Sequence, residues 1–166
     1  MFIIKKKKKK KFISFITVTK NSGKTLNRCI KSVKNQKRRN FEHLIIDGKS
    51  TDKTIDIIKN NQKYINIAIS KKDKNMWEAI NLGIKNSNGQ VICIVNSDDV
   101  LYKNASKIIE SYFKKNSIDY LLGSVKKKKI NIGFHPDKIN YKFNIFPSHS
   151  LGFVVKKKLH DEIGYY

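Results

Sequence analysis

Acidic residues are scarce in this chain. Its 166 residues hold 13 aspartates and glutamates against 36 lysines and arginines, a formal net charge of +23. Such a balance points to an anionic partner: nucleic acid, an anionic membrane or an anionic substrate. Arginine is scarcer still, with Arg28, Arg38 and Arg39 the only ones. Sequence-specific readers of nucleic acid lean on arginine for bidentate base contacts, so specific nucleic-acid binding is not expected. A general Lys/Asn/Ile bias accounts for most of the charge. The two cysteines, Cys29 and Cys93, lie far apart in apolar helix and strand patterns without CxxC spacing. They read as free, buried thiols of a reducing compartment. No apolar run reaches the ~18 residues of a transmembrane helix. The N-terminus, Met1 to Ile4 followed by Lys5 to Lys11, has the reverse order of a secretory signal. A cytoplasmic location is expected, with the lysine run a mobile tail that adds attraction to an anionic membrane face. Prolines number 2, and no Pro/Gly/Ser-rich linker divides the chain.

What is present is alternation. Phe12 to Thr19, Phe41 to Asp47, Tyr64 to Ser70, Gln90 to Val95 and Ile118 to Val125 read as strands, β-branched and apolar. Between them, residues 24–36, a segment around Ile55 to Ile58, residues 75–87 and residues 103–115 carry apolar positions at helical spacing. Strand–helix repetition of this kind predicts an α/β domain with a mostly parallel sheet and helices on both faces. After residue 125 the pattern weakens, with a last strand at 150–155 and a helix from Leu159. The expected division is a basic tail at 1–11, an α/β ligand-binding domain at 12–125 and a region of the same domain at 126–166.

The most telling segment is Val91 to Val95 followed by Asn96-Ser97-Asp98-Asp99. A buried strand that stops at paired acids sets oxygen ligands on the sheet rim, where open α/β folds bind ligands. Hard cations take such oxygens together with a substrate's phosphates. Asp47, at the end of the second strand, is placed to accept hydrogen bonds from a base or ribose. Asp52, by contrast, reads as an acid favoured at a helix start. Gly23-Lys24-Thr25 and Gly48-Lys49-Ser50 mimic a phosphate-binding P-loop, but the required earlier glycines are Val18 and His43.

Taken together, FISFITVTKNSGKTLNRCIKSV, LIIDGKSTDKT, ISKKDKNMWEAINLGI and GQVICIVNSDD resemble the blocks of a family 2 glycosyltransferase with the GT-A fold, in the family's order over about residues 12–125. Residues 147–165 are similar to the region after the family's core sheet. The resemblance implies a GT-A, Rossmann-like sandwich that transfers a sugar, with inversion, from a UDP- or GDP-sugar type donor to a glycan or lipid-linked acceptor. It implies that Thr17, Val18, Thr19 and Asp47 hold the nucleotide. Asp73, Asn81 and the helix carrying Glu78 would lie near the diphosphate or donor sugar, and Asp98 and Asp99 would hold Mn²⁺ or Mg²⁺. The departures are Lys20 for a usual tyrosine, Lys49 and Asn75 for usual glycines, and Asn96 for the first acid of the D-x-D motif. No residue matches the family's acidic motif for the general base. His149 is the one acceptor-side candidate, and transfer by these residues alone is expected to be weak. Rival readings are a remnant that binds nucleotide and metal without transfer, and a basic module for nucleic acid or membrane.

Overall fold

The computed structural model describes residues 2–6, 10–123, 125–127, 130–132 and 152–166. The strands β1 (Phe2–Lys5), β2 (Lys11–Thr19), β3 (Phe41–Asp47), β4 (Ile67–Ser70), β5 (Gly89–Ile94) and β6 (Tyr120–Leu122) alternate with α1 (Leu26–Lys34), α2 (Thr54–Asn60), α3 (Met76–Asn86) and α4 (Ala105–Lys115). A hairpin of β7 (Val125–Lys127) and β8 (Ile130–Ile132) follows, and β9 (Phe153–Lys156) runs straight into α5 (Lys157–Ile163).

The main sheet has the order β1-β4-β3-β2-β5-β9-β6. Its centre is parallel: β4, β3, β2 and β5 run the same way. The flanks are antiparallel, β1 on β4 and β9 on both β5 and β6. Because the central strands are covered on both faces, their side chains divide by parity. Ile13, Phe15, Cys93 and Val95 meet Cys29 and Val33 of α1 and Ile109 and Phe113 of α4. Ile16, Val18, Ile46, Ile92 and Ile94 meet Ala79, Ile80 and Ile84 of α3. The expected sandwich with helices on both faces is what the chain builds. Both thiols are free and buried, and burial pushes Cys29 up to about 11 and Cys93 up to about 12. They are protonated and inert at neutral pH.

Gly83 lets α3 lie this close. A Cβ there would meet Ile16 Cγ2 at 2.5 Å and Ile46 Cγ1 at 3.3 Å.

Three expectations need correction. Residues 2–6 are not simply a tail: Phe2–Lys5 pairs antiparallel with β4, Phe2↔Ser70 to Lys5↔Ile67. Phe2 and Ile4 alternate inward onto the cluster under α2, and Ile3 and Lys5 point out. Lys11 already belongs to β2. The third expected strand starts late, since Gln62–Tyr64 forms a 3₁₀ turn, and the fifth shrinks to Tyr120–Leu122. The last strand, expected at 150–155, lies at Phe153–Lys156 and inserts between β5 and β6. Among the described residues no helix is long and apolar enough to cross a membrane.

Two outcomes follow from this packing. Removing residues 1–6 strips β4 of its edge partner and of two half-buried apolar side chains, and should cost about 1–2 kcal/mol. That is a drop of about 2–8 °C in thermal midpoint by scanning calorimetry; an unchanged midpoint would show that β1 adds nothing. Gly83→Ala should also lower the midpoint. Overpacking costs about 1–3 kcal/mol, which outweighs the ~1 kcal/mol that alanine gains in helix propensity.

Candidate functional site at the carboxyl edge of the parallel strands

Parallel pairing brings the ends of β2, β3 and β4 level: Thr19 stands opposite Asp47, and Asp47 opposite Ser70. Four loops therefore leave the same edge of the sheet. They are 20–25 after β2, 48–53 after β3, 71–75 after β4 and 95–104 after β5.

Asp47 is buried, and its carboxylate organises this edge. Oδ2 accepts from the Ser50 N–H at 3.0 Å and from Ser70 Oγ at 2.6 Å, and Oδ1 accepts from Ser50 Oγ at 2.5 Å. The Asp47 carbonyl accepts from the Lys71 N–H at 3.0 Å. Beside it the Gly48 N–H donates to the Thr19 carbonyl at 2.9 Å, and a Cβ on Gly48 would lie 2.7 Å from Asp73 Oδ2. Thr19, Asp47 and Asp73 thus converge on one glycine. The Thr19 hydroxyl is buried with no hydrogen-bond partner among the described residues.

The other residues divide. Thr17 turns inward: its Oγ1 meets His43 Nε2 at 3.0 Å and Cys29 Sγ at 3.7 Å, so only its backbone can face a ligand at the rim. His43 is held neutral there, its pKa pushed down to about 3 by burial. Val18 packs into the α3 side of the core. Asn81 lines the same cleft as Asp73, its amide donating to the Tyr166 carbonyl at 2.6 Å and its Oδ1 accepting from the Tyr166 N–H at 3.1 Å. Glu78 caps α3: Asn75 Oδ1 accepts from the Glu78 N–H at 3.0 Å, and Glu78 Oε2 accepts from the Lys74 N–H at 2.7 Å. This is the reciprocal logic of a capping box. Asp73 lines a cleft of about 580 Å³ together with Lys72, Lys74, Trp77 and Tyr166, the last two rings stacked at 5.3 Å. His149 lies outside the described residues.

At the end of β5, Asp98 is exposed and Asp99 half-buried. Asn96 Nδ2 donates to Asp99 Oδ2 at 3.0 Å, and the Asp99 N–H donates to the Asn96 carbonyl at 3.0 Å, which closes the turn. Among the described residues no three His, Cys, Asp or Glu side chains gather into an all-protein metal cage. Two adjacent carboxylates suit a hard cation that completes its shell with phosphate and water.

A hydrogen-bond lattice, missed in the sequence, ties these loops together. The Asn21 N–H donates to Ser50 Oγ at 2.8 Å, and Asn21 Oδ1 accepts from the Thr51 N–H at 2.9 Å. The Ser22 N–H donates to Thr54 Oγ1 at 2.8 Å, and the hydroxyls of Ser22 and Ser97 meet at 2.8 Å. Asp52 Oδ2 accepts from the Gly23 N–H at 2.9 Å, while its Oδ1 accepts from Thr54. The one available signal was the density of Asn, Ser, Thr and Asp in these loops. Two residues hold left-handed backbone here, Asn21 at φ 49° and Lys49 at φ 57°.

The chain matches the family model described as glycosyl transferase family 2 over residues 14–166. It is 40% identical over 115 residues to a dolichyl N-acetyl-α-D-glucosaminyl phosphate 3-β-D-2,3-diacetamido-2,3-dideoxy-β-D-glucuronosyltransferase of Methanococcus voltae, covering 65% of this chain and 33% of that protein. It is 34% identical over 118 residues to the poly(ribitol-phosphate) β-N-acetylglucosaminyltransferase TarP of Staphylococcus aureus, covering 68% and 36%. Among solved structures, S. aureus TarS 1-349 in complex with UDP-GlcNAc superposes with a TM-score of 0.78 at 21% identity, over 93% of this chain and 48% of that one. The mannosyltransferase PcManGT of Pyrobaculum calidifontis, in complex with GDP-Man and Mn2+, gives 0.74 at 14% identity, over 95% and 48%. The chain spans about a third of these curated relatives' length and about half that of the structural neighbours. The fold is GT-A.

Asp52 yields a pH test. The Thr54 hydroxyl and the Gly23 N–H hold its carboxyl below the ordinary aspartate range. Its contribution is therefore complete above the unfolded pKa and is lost as pH falls through the lower folded one. Asp52→Ala should lower the thermal midpoint at neutral pH and speed exchange of the Gly23 amide. The gap to the parent should close in strong acid; a gap independent of pH would remove the charged latch from this account.

Proposed function

Since this chain belongs to glycosyl transferase family 2, we propose that it forms the donor-binding part of an inverting glycosyltransferase. Its donor would be a UDP- or GDP-type nucleotide sugar, and its acceptor a glycan or lipid-linked saccharide. The observation that carries this reading is the convergence of Thr19, Asp47 and Asp73 on Gly48, with Asp98 and Asp99 on the neighbouring loop tied in through Ser22 and Ser97. The neighbours crystallised with UDP-GlcNAc and with GDP-Man and Mn2+ support it as members of the same fold.

The division of labour follows from the geometry. The backbone of Thr17 to Thr19 and the turn held by Asp47 would receive the nucleotide, and the unsatisfied Thr19 hydroxyl is the kind of buried group that a ligand atom completes. Lys72 and Lys74 place positive charge beside Asp73, where the phosphates would run. Asp98 and Asp99 would hold Mn²⁺ or Mg²⁺, which supplies charge neutralisation as the nucleoside diphosphate leaves. Arg28 Nη2 donates to the Asp98 carbonyl at 3.0 Å and fixes the loop that presents those acids. The acceptor hydroxyl must lose a proton on attack, a step for which a general base contributes about 10²–10⁴-fold. None of the described residues is assigned to that step.

Titration calorimetry of the whole chain with UDP tests this. Affinity should rise when Mn²⁺ is added, and Asp98→Ala should lower the Mn²⁺-dependent affinity at least about tenfold. The same variant should bind UDP without metal as the parent does. Equal affinity with and without Mn²⁺ in both proteins would remove the metal role, and failure of the parent to bind any nucleoside diphosphate would remove the donor role.

A further inference from the structure

We propose that the face formed by α1, the 100–104 loop and α4 is a docking surface for an anionic lipid bilayer. The inference does not rest on the donor-site reading.

A groove of about 620 Å³ runs along this face, and its charged lining groups are Arg28, Lys31, Arg39 and Lys103. No carboxylate side chain lines it. Glu110, the one acid between residues 100 and 118, is buried and engaged by Lys114 at 2.7 Å. Val100, which lines the groove, is 44% exposed and Tyr102 on the same loop 65%; α4, joined to Gln36 by the Ser106 N–H, exposes Ile108 at 49% and Tyr112 at 52%. Ile108 and Tyr112 stand one turn apart on the outer face of α4, beside the exposed Lys107 and Lys115.

Cations interleaved with aromatic and aliphatic tips match the chemistry of a membrane interface. Lipid phosphates meet Lys and Arg, and Tyr, Val and Ile enter the headgroup–acyl boundary. A nucleic acid would use the cations and the rings but offers nothing to Val100 or Ile108, so the aliphatic groups favour lipid.

The face is also built to hold its shape. The Leu101 N–H donates to Ser32 Oγ at 3.1 Å, and Gln36 Nε2 donates to the Tyr102 carbonyl at 2.9 Å. The Lys37 N–H reaches the Lys103 carbonyl at 3.3 Å, and the Ser106 N–H reaches Gln36 Oε1 at 2.9 Å. These bonds fix the loop to α1, so docking requires little ordering of the backbone. Through Arg28 and the Asp98 carbonyl the groove adjoins the strand-end rim. A bilayer on this face would hold that rim at the lipid surface.

The net charge alone draws this protein to anionic vesicles, so the test compares equal charge losses at two places. Lys31→Gln, Arg39→Gln and Lys103→Gln together remove three cations from the face. Lys53→Gln, Lys59→Gln and Lys63→Gln remove three around α2. Sedimentation with vesicles of phosphatidylcholine containing about 30% phosphatidylserine should show the face variant weakened about 100-fold at low salt, about fivefold per cation. The α2 variant should change by less than about threefold. Ile108→Ser with Tyr112→Ser should abolish the binding that persists near 0.5 M salt, where screening is strong. Equal losses in the two triple variants would show that net charge alone acts and overturn the proposal. So would a face variant that loses affinity for a single-stranded oligonucleotide and keeps its affinity for vesicles.

Discussion

The parallel register of β2 against β3 is the constraint on which the site depends. It sets Thr19 opposite Asp47 and, one strand on, Asp47 opposite Ser70. A shift by one residue would reverse the facing of every side chain. Asp47 would then face the α3 side, away from Ser50 and Ser70, and Thr17 would lose His43. Register is secured by burial on both faces: Ile13 and Phe15 belong to the α1–α4 side, and Ile16 and Val18 to the α3 side. At the other edge a buried polar cluster helps. Glu42 accepts from Ser14 Oγ at 2.7 Å, from Asn88 Nδ2 at 3.1 Å and from the Asn88 N–H, and the Gly89 N–H donates to Ser14 Oγ at 2.9 Å. Displacing any one strand would leave a buried carboxylate short of donors, which is costly. The apolar code thus sets which residues face each helix layer, and this polar pin fixes the three strands along their length.

How much of this could be read from the sequence depended on the range of the interaction. The buried strands were legible because two-sided burial writes continuous apolar runs, and the helices because of their spacing. The acids at 47 and 98–99 were legible as strand-end residues by the same token. Partnerships between distant segments were not. Ser70 reaches Asp47 across 23 residues, and Ser97 reaches Ser22 across 75; no local pattern encodes either. β1 was hidden because four residues with alternating facing precede a lysine run that dominates the reading, and their inward positions make sense only once β4 offers an edge. The inward turn of Thr17 follows from parity, which sets it on the face of Ile13 and Phe15, but its partner His43 appears only with the register.

The unusual residues at the site have local reasons. Lys49 occupies left-handed backbone, where a side chain is strained and glycine is favoured. The strain is tolerated because Asp47 grips the next residue, Ser50, by both its amide and its hydroxyl, and Ser50 Oγ in turn accepts from the Asn21 N–H. Asn75 stands where the family usually has glycine, and it has a use for its side chain, accepting the Glu78 amide and opening α3. In both places a helix or turn that glycine would permit is instead held by side-chain bonds.

The same economy explains how a chain of such one-sided charge keeps its cations out of the interior: no lysine or arginine is buried among the described residues. Among the described residues the buried titratable groups are two thiols with raised pKa values, His43 and His160 with depressed ones, and the carboxyl groups of Asp47, Glu42 and Glu110, each met by hydrogen-bond donors. The positive charge is thereby left on the surface, where Lys71, Lys72 and Lys74 follow β4, Arg28 and Lys31 stand on α1, and Arg39 comes after it. Repulsion among exposed cations is weak in water and salt, so the fold bears it at small cost. An anion arriving at the strand-end rim meets that potential beside the carboxylates of Asp73, Asp98 and Asp99, the last two being the pair proposed to hold a cation. Arg28 binds the backbone carbonyl of Asp98 rather than its carboxylate, which is compatible with the metal role proposed for Asp98 and Asp99.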